Sequence, residues 1–330
     1  MKYRPDVDGL RALAVIPVVF YHAKLPGFNG GFIGVDIFFV ISGYLISRII
    51  GDQIATRSFS ILRFYERRIR RIFPALFFVL MPCAVASTLL FVPREYRDFS
   101  QSLIAATIFA ANILFWKESG YFNAPAEQKP LLHTWSLSVE EQFYLVFPWL
   151  LILLWRLKRP FDLHLLVPLL LGSLFLSIWG VEYAPEAAFY FVHMRAWELL
   201  LGASLGLRLV TLPSSNSVRN VASIAGLLMI LTAVHLYSPS IPFPGAYALL
   251  PCMGAALIIW SGESGDAKTD SSWIKNILST SPFVTIGLVS YSLYLWHWPI
   301  LVFAKSYLLR NPSALEVTFL ITLAFVLVSH

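Results

Sequence analysis

Long apolar runs, each followed by a short polar stretch, fill most of this 330-residue sequence. Hydrophobic residues make up 57% of the chain and charged residues only 13%, which is unusual for a soluble domain. A helix of about 20 apolar residues crosses a bilayer. The runs lie at 9–26, 32–50, 72–92, 101–116, 137–155, 161–180, 188–207, 220–236, 246–261, 283–303 and 314–330. We therefore predict an all-α fold, a polytopic transmembrane helical bundle of about 10–11 membrane segments.

Basic residues predict which segment ends face the cytoplasm. Lys2 and Arg4 place the N-terminus there, and the arginine-rich stretch 51–71 and the RLKR run at 156–159 should lie there too. Three apolar segments separate those two stretches, and an odd number of crossings cannot return to the same side. Either the RLKR run breaks the rule, or the short and partly polar run 101–116 is re-entrant.

Charge and cysteine content exclude several classes of protein. The net charge is +6, but the basic cluster is short and flanked by membrane segments, so we do not expect nucleic-acid binding. Cys83 and Cys252 lie in apolar runs and read as small buried hydrophobes, without a disulfide framework or metal-ligand spacing. No bound metal is expected.

The first apolar segment contains an arginine, Arg11, and a histidine, His22, inside DGLRALAVIPVVFYHA. Eleven residues make close to three helical turns, so both lie on one helix face, about 16 Å apart along the axis. Ionisable groups at membrane depth are costly and usually face a protein interior or a polar pathway. This pair therefore predicts a polar site that reaches into the bilayer.

The second segment, GGFIGVDIFFVISGYLI, combines small and polar residues. Gly30, Gly31 and Gly34 should allow a neighbouring backbone to approach closely. Asp36 and Ser42 lie inside the spanning part. No G-x-S-x-G elbow surrounds Ser42, so a bond to a backbone carbonyl is the preferred interpretation of that serine.

Three further stretches bring polar groups into apolar surroundings. They are FYERRIRRIFPAL, LLHTWSLSVEEQFYLVFPWL and SYSLYLWHWPIL. Together with the Arg11/His22 helix and the GVDIFFVISGYLI segment, they occur in the order found in the acyltransferase-3 family. The chain resembles this family of integral membrane acyltransferases over essentially its whole length.

The resemblance implies an activity and its partners. Members O-acetylate bacterial surface polysaccharides, lipopolysaccharide or peptidoglycan, with a cytoplasmic acyl-CoA donor and an extracytoplasmic carbohydrate acceptor. They end the membrane core with a basic stretch, and many continue into a soluble extracytoplasmic SGNH-type domain. We therefore expect residues 1–330 to be a membrane-embedded acyltransferase domain that is incomplete at its C-terminal end.

The candidate site residues follow from this resemblance together with their chemistry. A histidine titrates near neutral pH and suits a general base, while arginine forks bind phosphate well. The candidates are His22, Asp36 and Glu140 for catalysis, Arg11, Arg68 and Arg71 for the phosphates of acetyl-CoA, and His133 and Trp135 for the acceptor.

Structural alternatives stand beside several of these roles. Arg11 is either a phosphate ligand or the partner of an acid such as Asp6 or Asp8. Asp36 either orients His22 or forms an ion pair with an arginine. Arg68 and the other clustered arginines either bind CoA phosphates or serve only as topology signals and lipid-headgroup contacts.

Two further features of the sequence favour structural roles. His297, between two tryptophans, is better explained by an interfacial aromatic belt. Arg195 and Glu198, three residues apart, are expected to form an intrahelical ion pair.

The sequence thus predicts a multi-pass enzyme of the bacterial inner membrane with a cytoplasmic N-terminus. It would move an acyl group, acetyl above others, from acyl-CoA to a carbohydrate hydroxyl, alone or with an SGNH-type domain or partner. The main alternative is a proton-coupled transporter, because intramembrane His, Asp and Glu also serve proton coupling. A structural or sensory membrane subunit is a third option. The two halves show no repeat that would favour the transporter.

Overall fold

The computed structural model describes residues 3–119, 128–157, 163–213, 215–263 and 272–308, and every regular element in those residues is a helix. Short 3₁₀ turns cover Gly31–Ile33 and Gly245–Ala248. The α-helices are α1 (Pro5–His22), α2 (Gly34–Ala55), α3 (Ile61–Leu90), α4 (Pro93–Thr107), α5 (Ala111–Lys117), α6 (Thr134–Arg156), α7 (Leu163–Tyr183), α8 (Pro185–Tyr190), α9 (Val192–Gly206), α10 (Asn216–Leu236), α11 (Leu249–Gly262), α12 (Trp273–Leu278) and α13 (Ser281–Leu308). The predicted all-α class is confirmed.

Seven helical stretches of the described residues are long and apolar enough to cross a membrane. They are Gly31–Ala55, Ile61–Leu90, Thr134–Arg156, Leu165–Tyr183, Asn216–Leu236, Gly245–Gly262 and Ser281–Ser306. The first apolar run forms α1, which is outside this group and carries three charged residues in its first two turns. The run at 188–207 divides between α8 and α9, and the run at 314–330 lies outside the described residues. The chain is a multi-pass membrane protein, as predicted.

The apolar run at 101–116 does not form one helix. It contains the end of α4, which stops at Thr107, and most of α5, which begins at Ala111. Between them Phe109 has a φ of 55°, a left-handed conformation that cannot continue a right-handed helix. A re-entrant path for this run remains a prediction.

The chain forms two compact units. Unit 1 comprises Met1–Phe59 and Gln142–Leu288, and unit 2 comprises Ser60–Glu141 and Val289–His330. Helices α6 and α13 each contribute residues to both units. Of the candidate site residues, His22, Arg11 and Asp36 belong to unit 1, and the others belong to unit 2.

Close packing of α1 against the start of α2 organises one side of unit 1. The backbone at Gly31 lies against the Pro17 carbonyl, and Gly34 lies against the Ala14 carbonyl, with no room for a Cβ atom. The opposed residue numbers fall on α1 as they rise on α2, so the two helices run antiparallel. The close approach predicted for these glycines is confirmed.

Helices α2 and α9 pack just as tightly within unit 1. A Cβ atom at Gly43 would overlap the Leu199 backbone, and one at Gly202 would overlap the Val40 carbonyl. Small residues at such contacts let helix backbones approach, which favours dispersion contacts between helices in a bilayer. This packing fixes the position of α9 along the axis of α2 and brings the polar residues of the two helices together.

Unit 2 has its own apolar core. The inner face of α3, including Leu76, Val79 and Leu80, packs in one buried cluster with Leu295 and Trp296 of α13. The opposite face of α3 is apolar and exposed, as expected of a helix that faces lipid. The arginine-rich start of α3 therefore continues directly into a spanning segment.

Candidate functional site

Helix α1 carries the Arg11/His22 pair on a continuous stretch from Pro5 to His22. Pro5 suits the first helical position, because the ring fixes φ and the missing N–H has no intrahelical acceptor there. The helix remains unbroken through Pro17, so the predicted spacing of about 16 Å between Arg11 and His22 applies.

The guanidinium of Arg11 pairs with an acid on its own helix. Its Nη1 lies 3.2 Å from Oδ1 of Asp8, and the Arg11 side chain is 12% exposed. Tyr3 donates a second hydrogen bond to Asp8, at 2.8 Å, and this bond raises the pKa of Tyr3. Of the two alternatives for Arg11, the structure thus shows the acid partner, and phosphate binding remains a prediction.

His22 lies in the last turn of α1 and is half-buried. Its ring packs edge-on against Tyr21, with the ring centroids 5.0 Å apart. A histidine titrates near neutral pH, so a half-buried imidazole can exchange a proton with a reactant. The position is compatible with a general base.

Asp36 does not orient His22, which corrects one of the two expectations for this residue. Gly34 lies against Ala14. Because α2 runs antiparallel to α1, Asp36 lies level with about residue 12 of α1. His22 is about ten residues further along α1, which is roughly 15 Å along the helix axis. Its carboxylate instead accepts a 2.8 Å hydrogen bond from Arg195. The alternative interpretation, an ion pair with an arginine, is the one that the structure has.

The arginine cluster begins α3 and differs in exposure from one residue to the next. The Ser60 side chain caps the helix by accepting from the Arg63 backbone N–H at 3.5 Å. Arg68 is half-buried, with its guanidinium 6.0 Å from the Phe64 ring centroid, while Arg71 is exposed. Arg70 is 78% exposed and pairs with Glu66 at 2.8 Å. Arg68 is therefore the most sheltered of these cations, and Arg71 lies one turn further on.

His133 and Glu140 lie at the entrance to α6. The helix begins at Thr134, so His133 precedes it, and Glu140 is half-buried in its second turn. The His133 side chain is buried and its ring lies 5.8 Å from that of His297. Trp135 is only 7% exposed, so its ring is covered by protein rather than open at the surface.

A hydrogen-bonded group around Tyr294 was not predicted. The Tyr294 hydroxyl donates to the His133 carbonyl at 3.0 Å and lies 2.6 Å from the Ser136 hydroxyl. Nδ1 of His297 lies 2.6 Å from the Tyr294 carbonyl, which can only accept, so Nδ1 carries the hydrogen. His297 is 1% exposed. The sequence signal for this arrangement was the presence of Tyr294 and His297 inside the apolar stretch SYSLYLWHWPIL.

A second unpredicted cluster surrounds Glu263, close to the start of α1 in unit 1. Its carboxylate lies 2.8 Å from Nη1 of Arg4, 2.7 Å from Nη2 of Arg48 and 2.8 Å from the Tyr44 hydroxyl. Arg219 donates to the Glu263 backbone carbonyl. These bonds tie the start of α1 to α2, α10 and the end of α11.

The electrostatics of this cluster favour an ionised glutamate. Burial works to raise the pKa of the Glu263 carboxyl, but the hydrogen bond from Tyr44 and the charges of Arg4 and Arg48 outweigh it. The pKa of Glu263 therefore lies below its usual value, so the ion pairs with both arginines persist at neutral pH.

Other residues singled out in the sequence have structural surroundings. The hydroxyls of Ser42 and Tyr144 contact each other inside unit 1. Cys83 and Cys252 are free and buried, as predicted. The expected ion pair between Arg195 and Glu198 is confirmed, with Nε and Oε1 3.2 Å apart.

Comparison with known proteins gives a consistent picture. The family of the acyltransferase domain, acyltransferase-3, matches residues 4–329. The peptidoglycan O-acetyltransferase OatA of Listeria monocytogenes is 34% identical over 318 residues, covering 91% of this chain and 50% of that protein. The O-acetyltransferase OatA of Staphylococcus aureus strain NCTC 8325 is 32% identical over 325 residues, covering 94% of this chain and 52% of that protein.

The chain spans about half the length of these curated relatives. No solved structure matches it. A family match over nearly the whole sequence, with relatives above 30% identity and a helical bundle of apolar segments, agrees with the resemblance predicted from five sequence stretches. The chain belongs to the acyltransferase-3 family of membrane acyltransferase domains.

Proposed function

We propose that this chain is the membrane part of an O-acyltransferase that moves an acetyl group from acetyl-CoA to a hydroxyl of a cell-envelope carbohydrate. The observation that carries the proposal is the family match over residues 4–329. The name of the Listeria relative favours peptidoglycan as the acceptor, ahead of lipopolysaccharide O-antigen or exopolysaccharide. The enzyme would lie in the bacterial cytoplasmic membrane with its N-terminus in the cytoplasm.

In this proposal His22 is the general base. A neutral imidazole takes the proton of the attacking hydroxyl as the new C–O ester bond forms. The thioester C–S bond breaks, and the departing CoA thiolate takes up a proton, so charge and atoms balance. The half-buried position of His22 at the end of α1 supports this role, because a base must reach its reactant and still hold a fixed orientation.

The other candidate residues would bind the donor and the acceptor. Arg68 and Arg71 would offer forked donors to CoA phosphates. Arg11, which pairs with Asp8, remains a separate candidate for binding phosphate. Glu140 remains the second acid/base candidate. For the acceptor we retain His133 and Trp135, which line the buried start of α6.

An SGNH-type extracytoplasmic domain or a partner protein would complete the transfer. The curated relatives are about twice as long as the matched region, which leaves room for such a domain in those proteins. The membrane part would either transfer the acetyl group to the carbohydrate itself or pass it to that domain, which would then complete the transfer.

The proposal is tested in proteoliposomes with acetyl-CoA radiolabelled in the acetyl group and peptidoglycan fragments as acceptor. We expect label to pass to the carbohydrate with wild-type protein and not with His22→Ala. His193→Ala is the matched control, because His193 is an exposed histidine stacked on Phe191. Solute uptake without consumption of acetyl-CoA would contradict the enzyme and favour the transporter.

A further inference from the structure

Three ionisable side chains are buried together inside unit 1. Arg195 of α9 donates from Nη2 to Oδ1 of Asp36 on α2 at 2.8 Å, and its Nε lies 3.2 Å from Oε1 of Glu198. The three side chains are 1%, 1% and 0% exposed, in the order Arg195, Asp36, Glu198. Water does not screen their charges, so the balance among them matters to the stability of the bundle.

Aromatic rings surround the guanidinium on its remaining sides. The central carbon of Arg195 lies 5.4 Å from the Phe39 ring centroid, 5.8 Å from that of Phe243 and 6.0 Å from that of Phe189. Such faces attract a cation weakly and add no charge. The cluster therefore has one positive group and two carboxyl groups in apolar surroundings.

If both carboxyls were ionised, this cluster would carry a net charge of −1. The Cys252 thiol of α11 and the Tyr237 phenol also interact electrostatically with this cluster, and both are neutral in their ordinary forms at pH 7. An uncompensated buried charge is strongly destabilising, whereas uptake of one proton removes it.

The hydrogen-bonding geometry is consistent with one protonated carboxyl group. Oδ2 of Asp36 and Oε2 of Glu198 are buried, and neither has a hydrogen-bond donor. A ligand oxygen of each carboxyl group and the Cys252 sulfur lie within 4.8 Å of one another. Ionised carboxylates only accept, so two of them side by side cannot bond, but one protonated carboxyl becomes a donor to the other.

We propose that Asp36 and Glu198 bind a single proton between them, which makes the Asp36–Arg195–Glu198 cluster electrically neutral. Two carboxyl groups held together in a protein commonly share one proton in this way, because both cannot ionise at such a distance. The site is a proton-binding site at the α2–α9 contact, and this inference does not depend on the proposed acyl transfer.

A proton suits this cluster better than a metal ion. Two carboxylates and a thiol at this spacing are a ligand set that also fits a divalent cation. However, Arg195 already bonds Asp36 and pairs with Glu198, so its positive charge stands beside the place that a cation would occupy. A proton neutralises the excess charge without displacing the guanidinium.

Infrared spectroscopy of the purified chain in nanodiscs at pH 7 tests the proposal. We expect a carboxylic-acid C=O band in the wild type that is lost in Glu198→Gln and also in Asp36→Asn, because either change leaves one carboxylate against Arg195. Glu182→Gln, at an exposed position of α7, is the control and should leave the band unchanged. A spectrum that neither cluster variant alters, or a bound metal found by elemental analysis, would overturn the proposal.

A stability measurement covers the case in which a variant folds poorly. Carboxyl groups in the unfolded chain are ionised at neutral pH, whereas the folded cluster keeps its proton. The unfolding equilibrium constant of the wild type should therefore rise about tenfold per pH unit from this site above pH 6. The same measurement on Glu198→Gln should lack that slope. A wild-type unfolding constant that does not change with pH in this range would contradict the shared proton.

Discussion

The tight contact between α2 and α9 predicts that Gly43→Ala destabilises the bundle. An alanine Cβ at Gly43 would overlap the backbone carbonyl of Leu199, and backbone cannot move aside as a flexible side chain does. Overpacking of this kind costs about 3 kcal/mol at its upper range. Replacing a helical glycine with alanine returns about 1 kcal/mol of helix propensity, so the net loss in unfolding free energy should be about 2 kcal/mol.

Gly172→Ala is the matched control for this substitution. Gly172 lies in the middle of α7, and an added Cβ there has no atom within 4 Å. The change should therefore stabilise the protein by up to about 1 kcal/mol through helix propensity alone. Both variants are measured by reversible unfolding in mixed detergent micelles, followed by circular dichroism. Equal unfolding free energies for Gly43→Ala and the wild type would refute the packing argument.

Two further predictions concern the charged groups. Because ion pairs keep the pKa of Glu263 below its usual value, its stabilising contribution is full above about pH 4.3 and is lost as the pH falls through its folded pKa. Glu263→Gln should lower thermal stability at pH 7 and remove that acid-side loss, as thermal unfolding from pH 7 to pH 3 would show. An unchanged acid-side loss would contradict it. If CoA phosphates bind the α3 cluster, Arg68→Gln and Arg71→Gln should each raise KM for acetyl-CoA about tenfold with kcat little changed. Arg70→Gln, at an exposed residue, should stay near the wild-type KM, and equal effects at all three positions would show only a loss of general positive charge.

The helical class and the close helix contacts could be predicted from local sequence patterns. Apolar runs of sufficient length predict spans, because backbone polar groups in lipid must bond within their own segment. The contacts of Gly31 and Gly34 with α1 followed from small residues at the head of a span. Such predictions succeed because the relevant interactions lie within one helix or between consecutive helices.

The partners of charged residues could not be predicted in the same way. Asp36 bonds Arg195, 159 positions away, and Arg4 bonds Glu263, 259 positions away. Only the helix packing brings these residues together, and one sequence has no pattern that pairs them. The start of α6 at Thr134, which leaves His133 just outside the helix, likewise depends on local backbone geometry rather than on the apolar pattern.

Release of free CoA thiol from acetyl-CoA is the direct measure of acyl transfer with His22 as the base. Wild-type protein in nanodiscs, His22→Ala and His193→Ala are compared with a thiol reagent in the presence of a carbohydrate acceptor. We expect turnover by wild type and His193→Ala, with a loss of at least about a hundredfold in folded His22→Ala, because a general base contributes about that much or more. Equal turnover by wild type and His22→Ala would contradict the assignment of His22, and no turnover by folded wild type would contradict the proposed activity of this chain.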